Sequence, residues 1–293
     1  MGLRIRTNIS SLQGQRQLGL STMQQQESME RLASGYRINK SADDAAGLAI
    51  SETLRGRIRS AGQATRNATD GISLIQTAEG GMNEITNILI RLKELAVQSS
   101  SDTIDNTQRG YTNREYTQLV DEVDRIANTT EFNGLKLFKG KESVGMENFT
   151  LHIGTGDGSQ PNTDTILVAV DPMKLDATEA LGLGKGAEIG PEPGSIEFNR
   201  EDASHKISII DNALEKVASN RATLGAQQSR LQSTINNLGV QMENMTASNS
   251  RIRDVDFASE TAKSTQSRIL AQAGVSVLAQ ANQIPELALA LLR

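Results

Sequence analysis

One stretch constrains this chain more than any other. Between Ile207 and Met245 the apolar residues Ile207, Ile210, Leu214, Val217, Leu224, Leu231, Ile235, Leu238, Met242 and Met245 recur in steps of three and four, interrupted only by Arg221 and Gln228. A stripe this narrow and long can be buried only against another helix, so it predicts a coiled coil or long-helix bundle. A straight helix of that length spans roughly 60 Å at about 1.5 Å per residue. Gly225 and Gly239 weaken it locally without ending it. A second long helix has to cover the seam.

That partner lies near the other end. From Ile50 through Leu54, Ile58, Ala61, Ala68, Ile72, Ile75, Ala78, Met82, Ile85, Leu89 and Leu92 to Ala96 runs a matching ladder whose small residues permit close approach. Ser41, Asp43 and Asp44 precede it, which places acidic groups where the first-turn dipole favours them. A polar loop from Ser99 to Asn106 leads to a shorter helix over about 108–128, with Tyr116, Leu119, Val123 and Ile126 on one face. Phe132-Asn133-Gly134 is a turn signal.

The character then changes. Ten of the 25 glycines and four of the five prolines fall between Gly140 and Gly194. Two β-like runs, Phe149 to Ile153 and Thr165 to Val170, are joined by Gly154 to Thr163, and Gly182 to Gly194 forms a return loop. The fold class expected is mainly α: a long antiparallel coiled-coil bundle with a small β-rich insertion at about 138–198.

Both ends carry thinner stripes. Ile5, Ile9, Leu12, Leu20, Met23, Met29 and Leu32 lie at one end, and Leu270, Ala273, Val277, Ala281, Ile284, Ala288 and Leu291 at the other. Pro285 inside the second is expected to kink or end its helix. Within one molecule these stripes are underpaired, which points to burial against other subunits. Ile5, Ile9, Leu12, Leu270, Ala273, Val277, Ala281, Ile284 and Leu291 are the candidate subunit-packing residues.

Composition closes off other classes. With three Tyr, five Phe and no Trp, a ring-walled cleft is not expected, and a net charge of −5 without a basic cluster gives no footprint for nucleic acid. The absence of cysteine removes disulfide and thiolate chemistry. Met1 to Ser21 has no continuous apolar run and no cleavage site, so no cleaved signal peptide is expected, and Ile269 to Pro285 is too polar and short for a membrane span. His152 and His205 stand far apart, no His-Glu-x-x-His motif occurs, and no phosphate loop is present. No catalytic, metal or cofactor site is expected.

The motifs at both ends resemble those of bacterial flagellin, the subunit of the flagellar filament. They are Ser34-Gly-Tyr-Arg-Ile-Asn39, Ala42-Asp-Asp-Ala-Ala-Gly47, Asn67-Ala-Thr-Asp-Gly-Ile72, Arg91-Leu-Lys-Glu-Leu-Ala-Val-Gln98 and Glu131-Phe-Asn-Gly134. At the other end are Ser250-Arg-Ile-Arg-Asp-Val-Asp256 and Gln272-Ala-Gly-Val-Ser-Val-Leu-Ala-Gln-Ala-Asn282. The resemblance covers roughly residues 1–138 and 205–293, and the short middle leaves no room for large outer domains. It implies that 1–44 and 250–293 are paired inner-tube segments ordered on assembly, and that 45–249 form an outer-tube domain. It implies an extracellular, self-assembling structural subunit for motility, exported without a cleaved signal. The expected partners are further copies of the chain, the flagellar export apparatus and its secretion chaperone, and the filament cap and hook-junction proteins. Arg91, Leu95 and Glu115 match positions through which flagellins contact the host Toll-like receptor that senses them. The alternative is a hook–filament junction protein or a minor filament component.

Overall fold

The structure is a computed structural model that describes residues 8–139, 148–154, 156, 164–169, 175, 181, 183 and 200–290. Five helices are described: α1 (Ile9–Ser34), α2 (Ala45–Ser99), α3 (Asn106–Thr129), α4 (Arg200–Arg253) and α5 (Phe257–Ala290). Between α3 and α4 lie strands β1 (Glu131–Phe132), β2 (Leu135–Lys136), β3 (Asn148–His152) and β4 (Thr165–Ala169). The chain forms two compact units, a terminal one of Met1–Ile58 with Glu243–Arg293 and a central one of Arg59–Met242. Both boundaries fall inside continuous helices, α2 and α4.

The central unit holds the large core. Ile75, Met82, Ile85, Leu89 and Leu92 of α2 are fully buried together with Ile210, Val217, Leu224 and Leu231 of α4. The two helices run antiparallel, as Lys93–Asp211 (2.6 Å) at one level and Arg221–Glu79 (3.6 Å) at the next show. Helix α3 closes the core with Tyr116, Val123 and Ala127. Tyr116 brings its hydroxyl into that core without a hydrogen-bond partner among the described residues, and burial pushes its pKa up to about 12. The expected architecture of a long antiparallel helix bundle with a small β insertion holds.

The two hairpins lie against this core. Strands β1 and β2 are joined by Asn133 (φ 51°) and Gly134 (φ 79°), the paired left-handed residues of a tight hairpin turn. Phe138, just beyond β2, is fully buried at Gly81, where an added Cβ would stand 2.6 Å from the ring. Strand β3 pairs antiparallel with β4, from Asn148 opposite Ala169 to His152 opposite Thr165. Leu151 of β3 sits against Gly71, where a Cβ would come within 2.3 Å. Phe149, Ile166 and Val168 complete the core side of this hairpin, whereas Leu167 faces outward. Most of the Gly182 to Gly194 return loop and of the Gly154 to Thr163 connection lies outside the described residues.

In the terminal unit α1 and α5 pair antiparallel. Gly35 ends α1 in the left-handed conformation (φ 75°), its N–H donating to Arg31 O. The chain then crosses the end of α4: Arg37 N donates to Arg253 O (2.7 Å) and Val255 N to Gly35 O (3.0 Å), a two-residue antiparallel bridge of Tyr36 with Asp254. The Arg253 guanidinium stacks 4.7 Å from the Tyr36 ring centre and pairs with the Glu52 carboxylate, which holds that carboxyl below its usual range. Asp43 accepts the amides of Lys40 (2.9 Å) and Asn39 (3.0 Å), and these bonds lower its pKa. Asp44 accepts Gly47 N (2.8 Å) and so caps α2 from just before its first residue, one position outside the expected first turn.

Candidate self-assembly surface

The seam between α1 and α5 is filled mostly by small and polar side chains. Along α1 the positions turned inward are Ser11, Gly14, Leu18, Ser21, Gln25, Ser28 and Leu32, and the fully buried ones are all serines. Along α5 they are Glu260, Ser264, Ser267, Ala271, Gly274, Leu278 and Ala281. Both sets keep strict three–four spacing, the signature of a coiled-coil seam, but with small and polar residues at its inner positions. Two leucines interlock across it. Leu278 lies over Gly14 and Leu18 over Gly274, at distances where an added Cβ would meet each side chain at 3.1 and 3.5 Å.

Asn8 does two jobs at one end of this seam. Its side-chain oxygen accepts Ser11 N (3.1 Å), capping α1, and its amide donates to Ala281 O at 2.8 Å. That carbonyl is the one that proline at 285 leaves without a helical donor, because Pro285 has no N–H to give to the residue four before it. Helix α5 continues through Pro285 to Ala290 instead of ending there, and a donor from α1 fills the gap. At the other end, buried Glu260 lies 3.9 Å from Arg31 and 3.4 Å from Lys263, so the one buried carboxylate of the seam is compensated.

With small residues inside, the bulky apolar ones stand outside. Ile9, Leu12, Leu20, Met23 and Met29 of α1 and Phe257, Ile269, Leu270, Val275 and Val277 of α5 are each between 45% and 67% exposed. Of the candidate packing residues, Ile9, Leu12, Leu270, Ala273 and Val277 are thus open to solvent, whereas Ala281 is buried in the seam. Ile284 belongs to α5, and Ile5 and Leu291 lie outside the described residues. Phe257, Ile269 and Val275 escaped the sequence reading, as did the whole serine–glycine seam. The signal was present as a heptad of small residues, hidden because the larger stripes fall on a neighbouring face.

Arg91 and Glu115 come together in the central unit. The guanidinium donates to Glu115 Oε1 from two nitrogens at 2.9 and 2.7 Å and to Glu94 at 3.0 Å, and these partners raise its already high pKa. Both side chains are about half exposed. Leu95 is not at the surface with them: at 1% exposure it belongs to the core. Among the described residues no group of acidic or histidine side chains could hold a metal ion, and no helix is long and apolar enough to cross a membrane.

A central unit of long antiparallel helices, and a terminal helix pair with apolar residues facing outward, define a helical subunit built for association. Known families agree. The bacterial flagellin N-terminal helical region matches residues 5–143, and the bacterial flagellin C-terminal helical region matches residues 207–292. The chain is similar to the flagellin of Halalkalibacterium halodurans, with 43% identity over 99% of both chains. It is likewise similar to the flagellin of Bacillus subtilis, with 41% identity over 99% of this chain and 100% of that one. A flagellar hook-associated protein of Vibrio parahaemolyticus matches 72% of this chain with a TM-score of 0.57. At 14% identity that likeness carries the fold alone and does not weigh towards a junction protein. The chain belongs to the bacterial flagellin family. It is a structural subunit of the flagellar filament, an extracellular appendage of motility.

Proposed function

We propose that residues 1–44 and 250–293 form the inner layer of the filament and become ordered as a subunit joins it, with 45–249 forming the outer layer. The observation that carries this is the inverted filling of the α1–α5 pair, small and polar within, bulky and apolar without. Such a pair buries little apolar surface by itself, so the ordering entropy of its residues is offset only when neighbouring copies cover the outer faces. Contacts between unlike faces that do not close on themselves extend into a helical polymer.

The same reading makes this chain a client of the flagellar export apparatus and a secretion chaperone, and a neighbour of the cap and hook-junction proteins. It has no catalytic activity of its own. Seeded polymerisation of the full chain, set beside a version trimmed to 45–249 and viewed by electron microscopy, tests the assembly. Filaments from the full chain alone are expected, and equal polymerisation by the trimmed version would refute the role of the ends.

A second surface follows from the exposed Arg91–Glu115 pair, which offers a host flagellin-sensing Toll-like receptor a fixed guanidinium and carboxylate. Leu95, being buried, serves that surface by fixing the backbone of α2 and not by touch. Arg91→Ala and Glu115→Ala should each weaken receptor signalling while leaving the monomer folded. Unchanged signalling from both would reduce the pair to an α2–α3 link.

A further inference from the structure

The outer face of α5 has a defined shape. Two parallel rows of every fourth residue, one from Phe257 to Ile269 and the other from Ala258 to Leu270, flank an open groove. Each row advances twelve residues, about 18 Å along the helix. No residue in either row is charged; Glu260, Lys263 and Arg268 lie off both rows. Small side chains at Ala258, Thr261, Ala262 and Thr265 keep the floor low between Phe257 at one end and Ile269 and Leu270 at the other. A groove between rows of this spacing accepts a ridge of side chains from another helix.

The same unit carries such a ridge. On the outer face of α1, Leu20, Met23, Gln26 and Met29 recur every third residue over about 13 Å, again without charge, and the three apolar ones are about half exposed or more. A row of every third residue laid into a groove between rows of every fourth is a common, near-parallel mode of helix packing. We propose that the α1 ridge Leu20–Met29 of one copy seats in the α5 groove Phe257–Leu270 of the next. The inference rests on the filament reading and deepens it by naming the two surfaces that meet. Its occupant is a second copy because this chain supplies both halves, alike in lack of charge and complementary in period, with a ridge short enough to lie within the groove. Ridge and groove are different patches of one molecule, so the contact is head-to-tail and leaves one free ridge and one free groove after every addition.

The absence of cysteine makes the pairing directly readable. Full-length chains carrying Met23→Cys are mixed with full-length chains carrying Thr261→Cys or Thr265→Cys, polymerised on seeds and oxidised by air with a copper catalyst. Covalent dimers between the two kinds of chain are expected in filaments and not in unassembled mixtures, with each variant alone giving none. Because the two cysteines reside on separate chains, a bond within one molecule cannot imitate the result. Filaments that form and yield no mixed dimers overturn the pairing while the filament reading stands. An unsubstituted chain that never polymerises on seeds overturns the filament reading, and the pairing with it. If the cysteine variants themselves fail to polymerise, Met23→Lys and Thr265→Glu decide. Each alone should raise the critical concentration at least about tenfold by burying a lone charge, and the two in one chain should restore it. Failure of the double variant to recover overturns the pairing.

Discussion

In the central unit the buried positions of α2 and α4 are filled mainly by leucine, isoleucine, methionine and valine, with alanines between them; in the terminal unit the same three–four spacing on α1 and α5 is filled mainly by serine, glycine and alanine, with a few leucines, a glutamine and a glutamate. The first filling makes a core that is sufficient alone, since each large apolar side chain fully buried contributes about 1.5–3 kcal/mol. The second lets two backbones approach closely but withholds that contribution, leaving the large side chains for an outer surface. The contrast teaches that spacing decides which helices pair, whereas side-chain size decides whether a pair stands by itself or waits for neighbours.

The comparison can be broken most easily at its strong end. Leu89→Ala in the central core should cost about 2–5 kcal/mol in urea unfolding, whereas Ser21→Ala in the terminal seam should change stability by less than about 1 kcal/mol. Equal costs would erase the distinction between the two fillings. Asn8→Ala comes next. It removes a helix cap and strands the Ala281 carbonyl, so a loss of about 1–2 kcal/mol is expected, read as faster amide exchange in α1 of assembled filaments.

Tyr116→Phe tests whether the central core is as apolar as its filling implies. The hydroxyl has no partner among the described residues, so its removal should be neutral or stabilising by up to about 1 kcal/mol. A clear loss of stability would mean that the oxygen is satisfied after all. The smallest effect concerns Asp43, whose pKa is lowered by the Lys40 and Asn39 amides. A carboxyl lowered on folding supports the fold above its unfolded pKa, near 3.8, and that support fades as pH falls through the lowered value. Protection of the Asn39 and Lys40 amides, measured as exchange relative to the intrinsic rate at each pH, should therefore fall on acidification below about pH 4 and be constant between about pH 6 and 8.

Most of the central unit was legible because its cause is local. The Ile207 to Met245 seam announces a partner helix through period alone, β-like runs bounded by glycine and proline became β3 and β4, and Asn133-Gly134 became a turn. The terminal unit was read through its largest residues, and these mark the face turned away from the partner. Nothing near Pro285 in the sequence tells that Asn8, 273 residues before the stranded Ala281 carbonyl, will supply the missing donor. Likewise Leu95 matched a surface motif, yet only the packing of α2 within the core shows that it is buried. Local rules reach caps, turns and periods; they stop where a group is satisfied from the other end of the chain.

The two leucines seated over Gly14 and Gly274 act as a gauge. Sliding α1 along α5 by one heptad would bring Leu278 against Ser21, or Leu18 against Ser267, where no glycine makes room. One alignment is thereby preferred, and with it one axial offset between the ridge on α1 and the groove on α5. In a polymer built on that offset, two glycine notches inside each molecule would set the step by which the whole fibre lengthens.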